Sequence, residues 1–154
     1  MWLTVLLCLF ALALIWLPNI QSLLSQPREE HPSPSVTFPN GVAVTLELAD
    51  TQAERVQGLS GHAPLAQDGG MLFLHDEKKV QGYWMKDMLF AIDLIWIDGD
   101  TVVGFQEDAQ PEDPARTIYY SPVPVDGVLE VSAGFVAQNE VLVGDVLDVE
   151  LLDE

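Results

Sequence analysis

The fold is first indicated by the stretch Val42-Ala-Val-Thr-Leu-Glu-Leu-Ala49, in which every second residue is Val or Leu. Successive side chains of a β-strand point to opposite faces, so this period of two predicts a strand with one buried face. Directly after it, Thr51-Gln-Ala-Glu54 has the spacing of a capping box, and Gly58 is a stop signal. The sequence therefore predicts a strand followed by a short helix.

Further short strands separated by turn residues follow these two elements. The sharpest turn signal is Asp98-Gly99-Asp100, because an Asp-Gly pair supplies the positive φ that a tight hairpin requires. The later strands are predicted at residues 70–74, 80–86, 92–98, 101–107, 117–120, 127–133 and 146–152. Strands of this length with a single helix do not indicate a βαβ fold. The chain is predicted to be mainly β, a small jelly-roll-like β-sandwich or a partly open barrel with one short helix.

An apolar segment precedes this β domain. Residues 2–17 carry no charge, and Thr4 is their only polar side chain. This pattern predicts a membrane segment over residues 1–20, followed by a Pro- and Ser-rich tether over residues 21–35 and the β domain over residues 36–154. No basic residue precedes the apolar run and no small-x-small site follows it, which favours an uncleaved anchor over a signal peptide.

The expected location follows from this segment. We expect a single-pass protein of the cell membrane with an extracytoplasmic domain. The alternative is a secreted or periplasmic domain after cleavage.

The charge balance restricts the partners of the domain. The chain has 24 Asp and Glu against 6 Lys and Arg, a net charge of -18. Such a surface repels a phosphate backbone, so nucleic acid is excluded as a partner, and membrane contact is expected through residues 1–20 alone. The single cysteine, Cys8, lies in the apolar segment and can form neither a disulfide within the domain nor a zinc cluster.

Several short blocks occur in a fixed order along the domain: Gly58-Leu59, Gly70-Met71-Leu72-Phe73, Tyr83-Trp84-Met85-Lys86-Asp87-Met88, Ile92-Asp93, Val128-Leu129-Glu130-Val131-Ser132-Ala133-Gly134 and Gly144-Asp145. Together they resemble the domain-of-unknown-function family 192, from about residue 44 to residue 152. The resemblance implies a small, mainly β domain of jelly-roll-like sandwich type, often behind a signal or anchor segment. It implies no established catalytic activity.

The chain departs from the pattern of that family at three places. Members usually carry Met and Arg after the Gly-Leu pair, where this chain has Ser60-Gly61-His62. They usually have Asn at the position of Asp87, and Pro-Leu-Asp where this chain has Ala91-Ile92-Asp93. A family site that used that Arg or that Asn would have an altered charge here.

The densest polar and aromatic cluster consists of Tyr83, Trp84, Lys86, Asp87 and Asp93. On a strand, Trp84 and Lys86 would share a face and place an indole beside an ammonium group. That pairing suits stacking of a sugar ring or binding of an anionic group. In the alternative interpretation, Trp84 fills the core while the Lys86 ammonium reaches water.

Asp93 is an acid within an otherwise apolar predicted strand. A buried carboxyl group must be paired, hydrogen-bonded or protonated, and the structural interpretation pairs Asp93 with backbone amides or Lys86. In a functional interpretation, Asp93 and Glu130 would form a pair of carboxylates across a cleft, as general acid and base catalysis by a hydrolase or lyase requires.

The leading hypothesis is a non-catalytic module that binds a small ligand, an envelope polymer or a protein partner through Tyr83, Trp84, Lys86, Asp87, Asp93 and Glu130. The competing hypothesis is the carboxylate-dependent hydrolase or lyase, and a third is a structural or assembly role. The three histidines lack metal-ligand spacing, and no Gly-x-Ser-x-Gly motif or phosphate loop is present, so neither a metal nor a cofactor is expected.

Overall fold

The computed structural model of the chain describes residues 33–111 and 117–151. The predicted membrane segment 1–20 lies outside the described residues, as do residues 21–32 of the predicted tether. Within the described ranges, no helix has the length and apolar character needed to cross a membrane. The described residues therefore belong to the predicted β domain, apart from residues 33–35 of the predicted tether.

Nine short strands and two short helices make up the described residues. The strands are β1 (Ser35–Thr37), β2 (Ala43–Ala49), β3 (Gly69–Lys79), β4 (Gly82–Trp84), β5 (Ile92–Asp98), β6 (Thr101–Ala109), β7 (Ile118–Tyr120), β8 (Val125–Ser132) and β9 (Asp148–Glu150). The helices are α1 (Gln52–Gln57), between β2 and β3, and α2 (Phe135–Gln138), between β8 and β9.

Seven strands form one curled sheet, and the other two form a separate ribbon. The order across the sheet is β6-β5-β8-β3-β2-β1-β9, and the ribbon is β4-β7. The edge strand β6 also meets the segment that precedes β9, through the Thr101–Val146 bridge. Val102 donates to the carbonyl of Asp145 at 2.9 Å and accepts from Gly144 at 2.8 Å. The sheet is therefore a curled half-barrel, and residues 144–147 cover the start of its edge strand β6.

The partly open barrel predicted from the sequence matches this sheet, whereas the jelly-roll-like sandwich does not. β2 and β3 pair in parallel, with Thr45 opposite Gly69. The connection between them contains α1 and a loop, which gives the chain the length that a parallel crossover needs. The domain therefore contains one parallel β-α-β connection that the sequence pattern did not predict, and a jelly roll has none.

The local predictions for β2 and α1 are confirmed. Along β2, Val44 and Leu46 are buried while their neighbours Ala43, Thr45 and Glu47 are exposed. At the start of α1, the Thr51 hydroxyl accepts from the backbone N–H of Glu54, and the Glu54 carboxylate accepts from the backbone N–H of Thr51. The capping box satisfies donors at the end of a helix too short to be stable without it.

The hairpin between β5 and β6 is also confirmed. Asp98 pairs with Thr101, so Gly99 and Asp100 form a two-residue turn. Gly99 has φ +67°. A positive φ at the first central residue is typical of a type II′ turn, whose twist matches that of the flanking strands.

Several predicted strand limits differ from the observed ones. β3 continues to Lys79, and β4 is limited to Gly82–Trp84 because the chain turns directly afterwards, with Met88 donating to the carbonyl of Met85. The last strand is likewise limited to Asp148–Glu150.

Apolar side chains cover both faces of the central strands. β5 is buried from Ile92 to Ile97. On one face, Ile95 and Leu129 belong to a core cluster beneath the half-barrel, and on the other face Trp96 and Val128 belong to a second cluster that extends to the ribbon. Burial of two faces explains why β5 is an almost continuous apolar run and not an alternating one.

Candidate functional site

The β4–β7 ribbon displays large apolar side chains on its outer face. Its strands are antiparallel, with Trp84 opposite Ile118 and Gly82 opposite Tyr120. Trp84 is 56% exposed, Ile118 46% and Tyr120 62%. The Tyr120 ring lies over Gly82, where a Cβ atom would come within 2.8 Å of a ring carbon. We call the surface formed by Trp84, Ile118 and Tyr120 the ribbon platform.

This exposure contradicts the interpretation in which Trp84 fills the core. The side chain that fills that role is the neighbouring Tyr83, which faces the interior. The Tyr83 ring lies edge-on to Phe73 at 5.0 Å and to Trp96 at 5.7 Å between centroids, and its hydroxyl is 3.0 Å from Nε2 of His75. Burial raises the pKa of the Tyr83 phenol. Tyr83 thus anchors the ribbon to the core, and Trp84 is left exposed on the outer face of the ribbon.

Lys86 borders the platform from the turn that ends β4. Its Nζ lies 5.5 Å from the centroid of the Trp84 ring and 3.9 Å from a carboxylate oxygen of Asp87. Asp87 has φ +56°, a conformation that Asn and Asp adopt more readily than other non-glycine residues. That backbone requirement gives a structural reason for Asn or Asp at this position. Lys86 reaches the indole because the chain turns, and not because the two residues alternate along a strand.

Asp93 has a structural role. It is fully buried; its Oδ1 accepts from the backbone N–H of Asp108 and its Oδ2 from that of Val136, both at 2.9 Å. Asp108 lies at an irregularity of β6, and Val136 lies in the first turn of α2, where the N-cap Gly134 offers no side chain. Backbone amides are therefore its partners, and no contact with Lys86 occurs within the described residues.

Glu130 is buried among apolar side chains. Met71 and Leu94 lie directly opposite it on the two neighbouring strands. No hydrogen bond to its carboxyl group is present in the described part of the chain, and burial raises its pKa to about 8. A carboxyl group with this pKa is mostly protonated at neutral pH.

The sheet does not bring Asp93 and Glu130 together. On the paired strands β5 and β8, Asp93 is opposite Val131 and Leu94 is opposite Glu130. Successive residues of a strand point to opposite faces, so the two carboxyl groups lie on opposite faces of the sheet. A substrate bond cannot lie between two carboxyl groups on opposite faces of the sheet. Asp93 and Glu130 therefore cannot act together as the acid and base of a hydrolase or lyase.

Ile118 and Tyr120 are not among the site residues predicted from the sequence. Their strand was predicted, and in the run Ile118-Tyr119-Tyr120 the alternation of side chains places Ile118 and Tyr120 on the same face. Their pairing with Trp84 and Gly82 joins distant parts of the chain, and local sequence does not encode it.

Comparisons with known proteins agree with this fold. The model of the family DUF192, described as an uncharacterized ACR, matches residues 35–149. No curated protein matches the chain. A crystal structure of a protein of unknown function from Novosphingobium aromaticivorans DSM 12444 is 29% identical, with a TM-score of 0.68 and coverage of 75% of this chain and 82% of that one.

A second similar crystal structure is that of a candidate transcription regulator from Sinorhizobium meliloti 1021. It is 34% identical to this chain, with a TM-score of 0.68 and coverage of 75% of this chain and 91% of that one. Both the family model and this structure cover most of the chain. The chain therefore belongs to the family DUF192.

Proposed function

We propose that the protein is a non-catalytic binding module that stacks sugar rings of an uncharged polysaccharide on the ribbon platform. The observation that carries the proposal is the 56% exposure of Trp84, which lies opposite Ile118 on the same face of the ribbon as Tyr120. Contiguous exposed apolar side chains on a soluble domain commonly mark an interaction surface. Trp and Tyr combine a flat apolar face with a polar edge, which suits a sugar ring whose faces are apolar and whose rim carries hydroxyl groups.

The charge of the chain favours an uncharged polymer. A net charge of -18 repels polyanions at long range, whereas stacking on aromatic rings needs no charge on the ligand. Repulsion of polyanions also disfavours binding of nucleic acid, so the description of the Sinorhizobium meliloti protein as a transcription regulator gives no support for DNA binding by this chain.

The predicted anchor supports an envelope polymer as the source of the sugar. An anchor over residues 1–20 and a tether over residues 21–35 would hold the platform near the cell surface, and cleavage of the anchor would release it into the periplasm or the medium. In either case the domain would be exposed to polysaccharides of the envelope or the medium, and not to ligands of the cytoplasm.

Affinity electrophoresis of the purified full-length chain in gels with soluble neutral polysaccharides tests this function. Retention by at least one polymer is expected, with Trp84→Ala weakening it by at least about fivefold because one stacking contact is lost. Leu142→Ala is the matched control, because Leu142 is 63% exposed and lies outside the ribbon. Far-UV circular dichroism shows whether each variant keeps its fold.

Lys86→Ala separates neutral from acidic ligands. An uncharged polymer should tolerate the loss of the ammonium group within about twofold, whereas an acidic polymer would lose a charge-assisted contact. The proposal is wrong if no neutral polysaccharide retains the chain. It is also wrong if folded Trp84→Ala and Leu142→Ala variants migrate alike.

A further inference from the structure

A groove lies between α1 and the far end of β3, lined by residues other than those of the ribbon platform. This groove has a volume of about 460 Å³. Its cationic side chains are Arg55 of α1 and Lys79 of β3, and the imidazole of His75 and the amides of Gln52 and Gln81 also line it. Such a concentration of donors is unexpected in a chain with a net charge of -18.

Hydrogen bonds fix the Arg55 side chain through one nitrogen and leave its other N–H groups available as donors. Its Nη1 donates to the carbonyl oxygen of Leu74 at 2.7 Å and also to that of Asp50. The side chain is only 19% exposed, and the nearest acid to its Nη2 is Asp76, at 3.9 Å and with its own side chain 93% exposed. A guanidinium group anchored on one nitrogen is preorganised to bind an oxyanion through the others.

Lys79 and the Gln81 amide also lack strong partners, whereas Nε2 of His75 lies 3.0 Å from the Tyr83 hydroxyl. Lys79 has no ion pair within the described residues. The side-chain Nε2 of Gln81 is buried and finds no hydrogen-bond acceptor in the described part of the chain. Burial lowers the pKa of His75, and the positive charges of Arg55 and Lys79 lower it further, which favours the neutral imidazole and leaves Arg55 and Lys79 as the cations of the groove.

Two acids also line the groove and limit its positive field. They are Asp76 and Glu77, and both are exposed. Lys78 does not compensate for them, because its ammonium group pairs with Asp98 and Asp126. An anion would therefore be attracted mainly by direct contact with Arg55 and Lys79, because Asp76 and Glu77 reduce the long-range electrostatic potential of the groove.

We propose that this groove binds a small oxyanion, the phosphate or carboxylate group of a small molecule, through the Arg55 guanidinium and the Lys79 ammonium. A planar guanidinium matches two oxygens of either group, and the ammonium adds a point charge. The Gln81 amide becomes a third donor when its terminal torsion turns it toward the groove. The proposal does not depend on the function assigned to the ribbon platform.

Titration of the full-length chain with inorganic phosphate, and separately with acetate, tests the site. Isothermal titration calorimetry and the imidazole resonances of the histidines in NMR spectra provide the readouts. Saturable binding at millimolar concentration is expected, with the His75 resonances shifting and those of His62, which lies outside the groove, remaining in place. Tighter binding of phosphate or of acetate identifies the preferred oxyanion.

Two adjacent lysines provide a matched pair of variants. Lys79→Gln should weaken binding at least about threefold, because it removes a charge that contacts the anion. Lys78→Gln makes the same change in net charge on the side chain that pairs with Asp98 and Asp126, and should leave the affinity unchanged. Both lysines are exposed, so neither substitution threatens the core.

Two outcomes would overturn the proposal. One is the absence of a saturable shift at His75 with either anion. The other is an equal loss of affinity in Lys78→Gln and Lys79→Gln, which would mean that anions respond to overall charge and not to the groove.

Discussion

Glu130 makes the stability of the domain depend on pH. Burial raises the pKa of its carboxyl group from the ordinary value of 4.5 to about 8. Between these two values the folded state binds a proton that the unfolded state has released. The stabilisation linked to this proton is fully present below the unfolded pKa and is lost as the pH rises through the folded pKa.

Glu130→Gln is therefore expected to stabilise the protein in alkaline solution. The amide has nearly the same shape as the protonated acid but cannot ionise, so the free energy of unfolding at pH 9 should rise by about 1–3 kcal/mol. At pH 4 the variant and the parent should agree within about 1 kcal/mol. Urea unfolding at a series of pH values measures this, and Glu47→Gln on the exposed side of β2 is the control. Parallel pH profiles for Glu130→Gln and the parent would contradict the expectation.

The sequence revealed which acids were unusual but not what they contact. Asp93 and Glu130 stand out because apolar residues surround them in predicted strands. The amides that bind Asp93 belong to Asp108 and Val136, 15 and 43 residues further along the chain. Those distances are bridged by tertiary structure, so local patterns indicated burial but not the partners. The exposure of Trp84 could not be predicted from the local sequence either, because it depends on which face of the ribbon packs against the core.

Asp93 connects three elements of the fold, namely β5, the irregular part of β6 and the first turn of α2. Asp93→Ala leaves two backbone amides without acceptors, and the free energy of unfolding should fall by about 2–5 kcal/mol. Asp93→Asn retains one acceptor oxygen and should lose about half of that. Chemical denaturation checks both values.

A surface carboxylate provides the control for this prediction. Asp145 accepts from the backbone N–H of Leu142 in an exposed position. Asp145→Ala should lower the free energy of unfolding by less than about 1 kcal/mol, because water replaces the lost bond. A similar loss for Asp93→Ala and Asp145→Ala would refute the connecting role of Asp93.

Elements with a complete local signal were predicted well, and elements that depend on remote partners were not. The alternation of β2, the capping box of α1 and the Gly99 turn each fit within a few residues, and all three are observed. The parallel pairing of β2 with β3 and the β4–β7 ribbon involve no such signal. The helix α2 has only four residues, too few to show a helical period.

The excess of acidic residues should make the whole molecule sensitive to salt. With a net charge of -18, like charges repel in the compact state more than in the expanded one. Raising NaCl from about 0.01 M to about 0.15 M shortens the screening length from about 30 Å to about 8 Å, so the melting temperature should rise by several degrees. Calorimetric scans of the full-length chain measure it, with KCl as a control for ion-specific effects. An unchanged or lower melting temperature would contradict the expectation.

At the scale of the molecule, the sequence pattern predicted the fold class but not the strand order. Short strands with frequent turns indicated a β domain, for which a sandwich and a barrel are both consistent. The half-barrel results from long-range pairings, above all the contact between β6 and residues 144–147. The anchor over residues 1–20 stays a prediction, because it lies outside the described residues.

That contact also has a consequence for behaviour in concentrated solution. Residues 144–147 occupy hydrogen-bonding groups at the start of β6 that would otherwise recruit a strand from another molecule. The opposite margin, β9, is three residues long and exposes Asp148 and Glu150, so an incoming strand meets little backbone and two negative charges. Both margins of the sheet therefore discourage the addition of strands from other molecules.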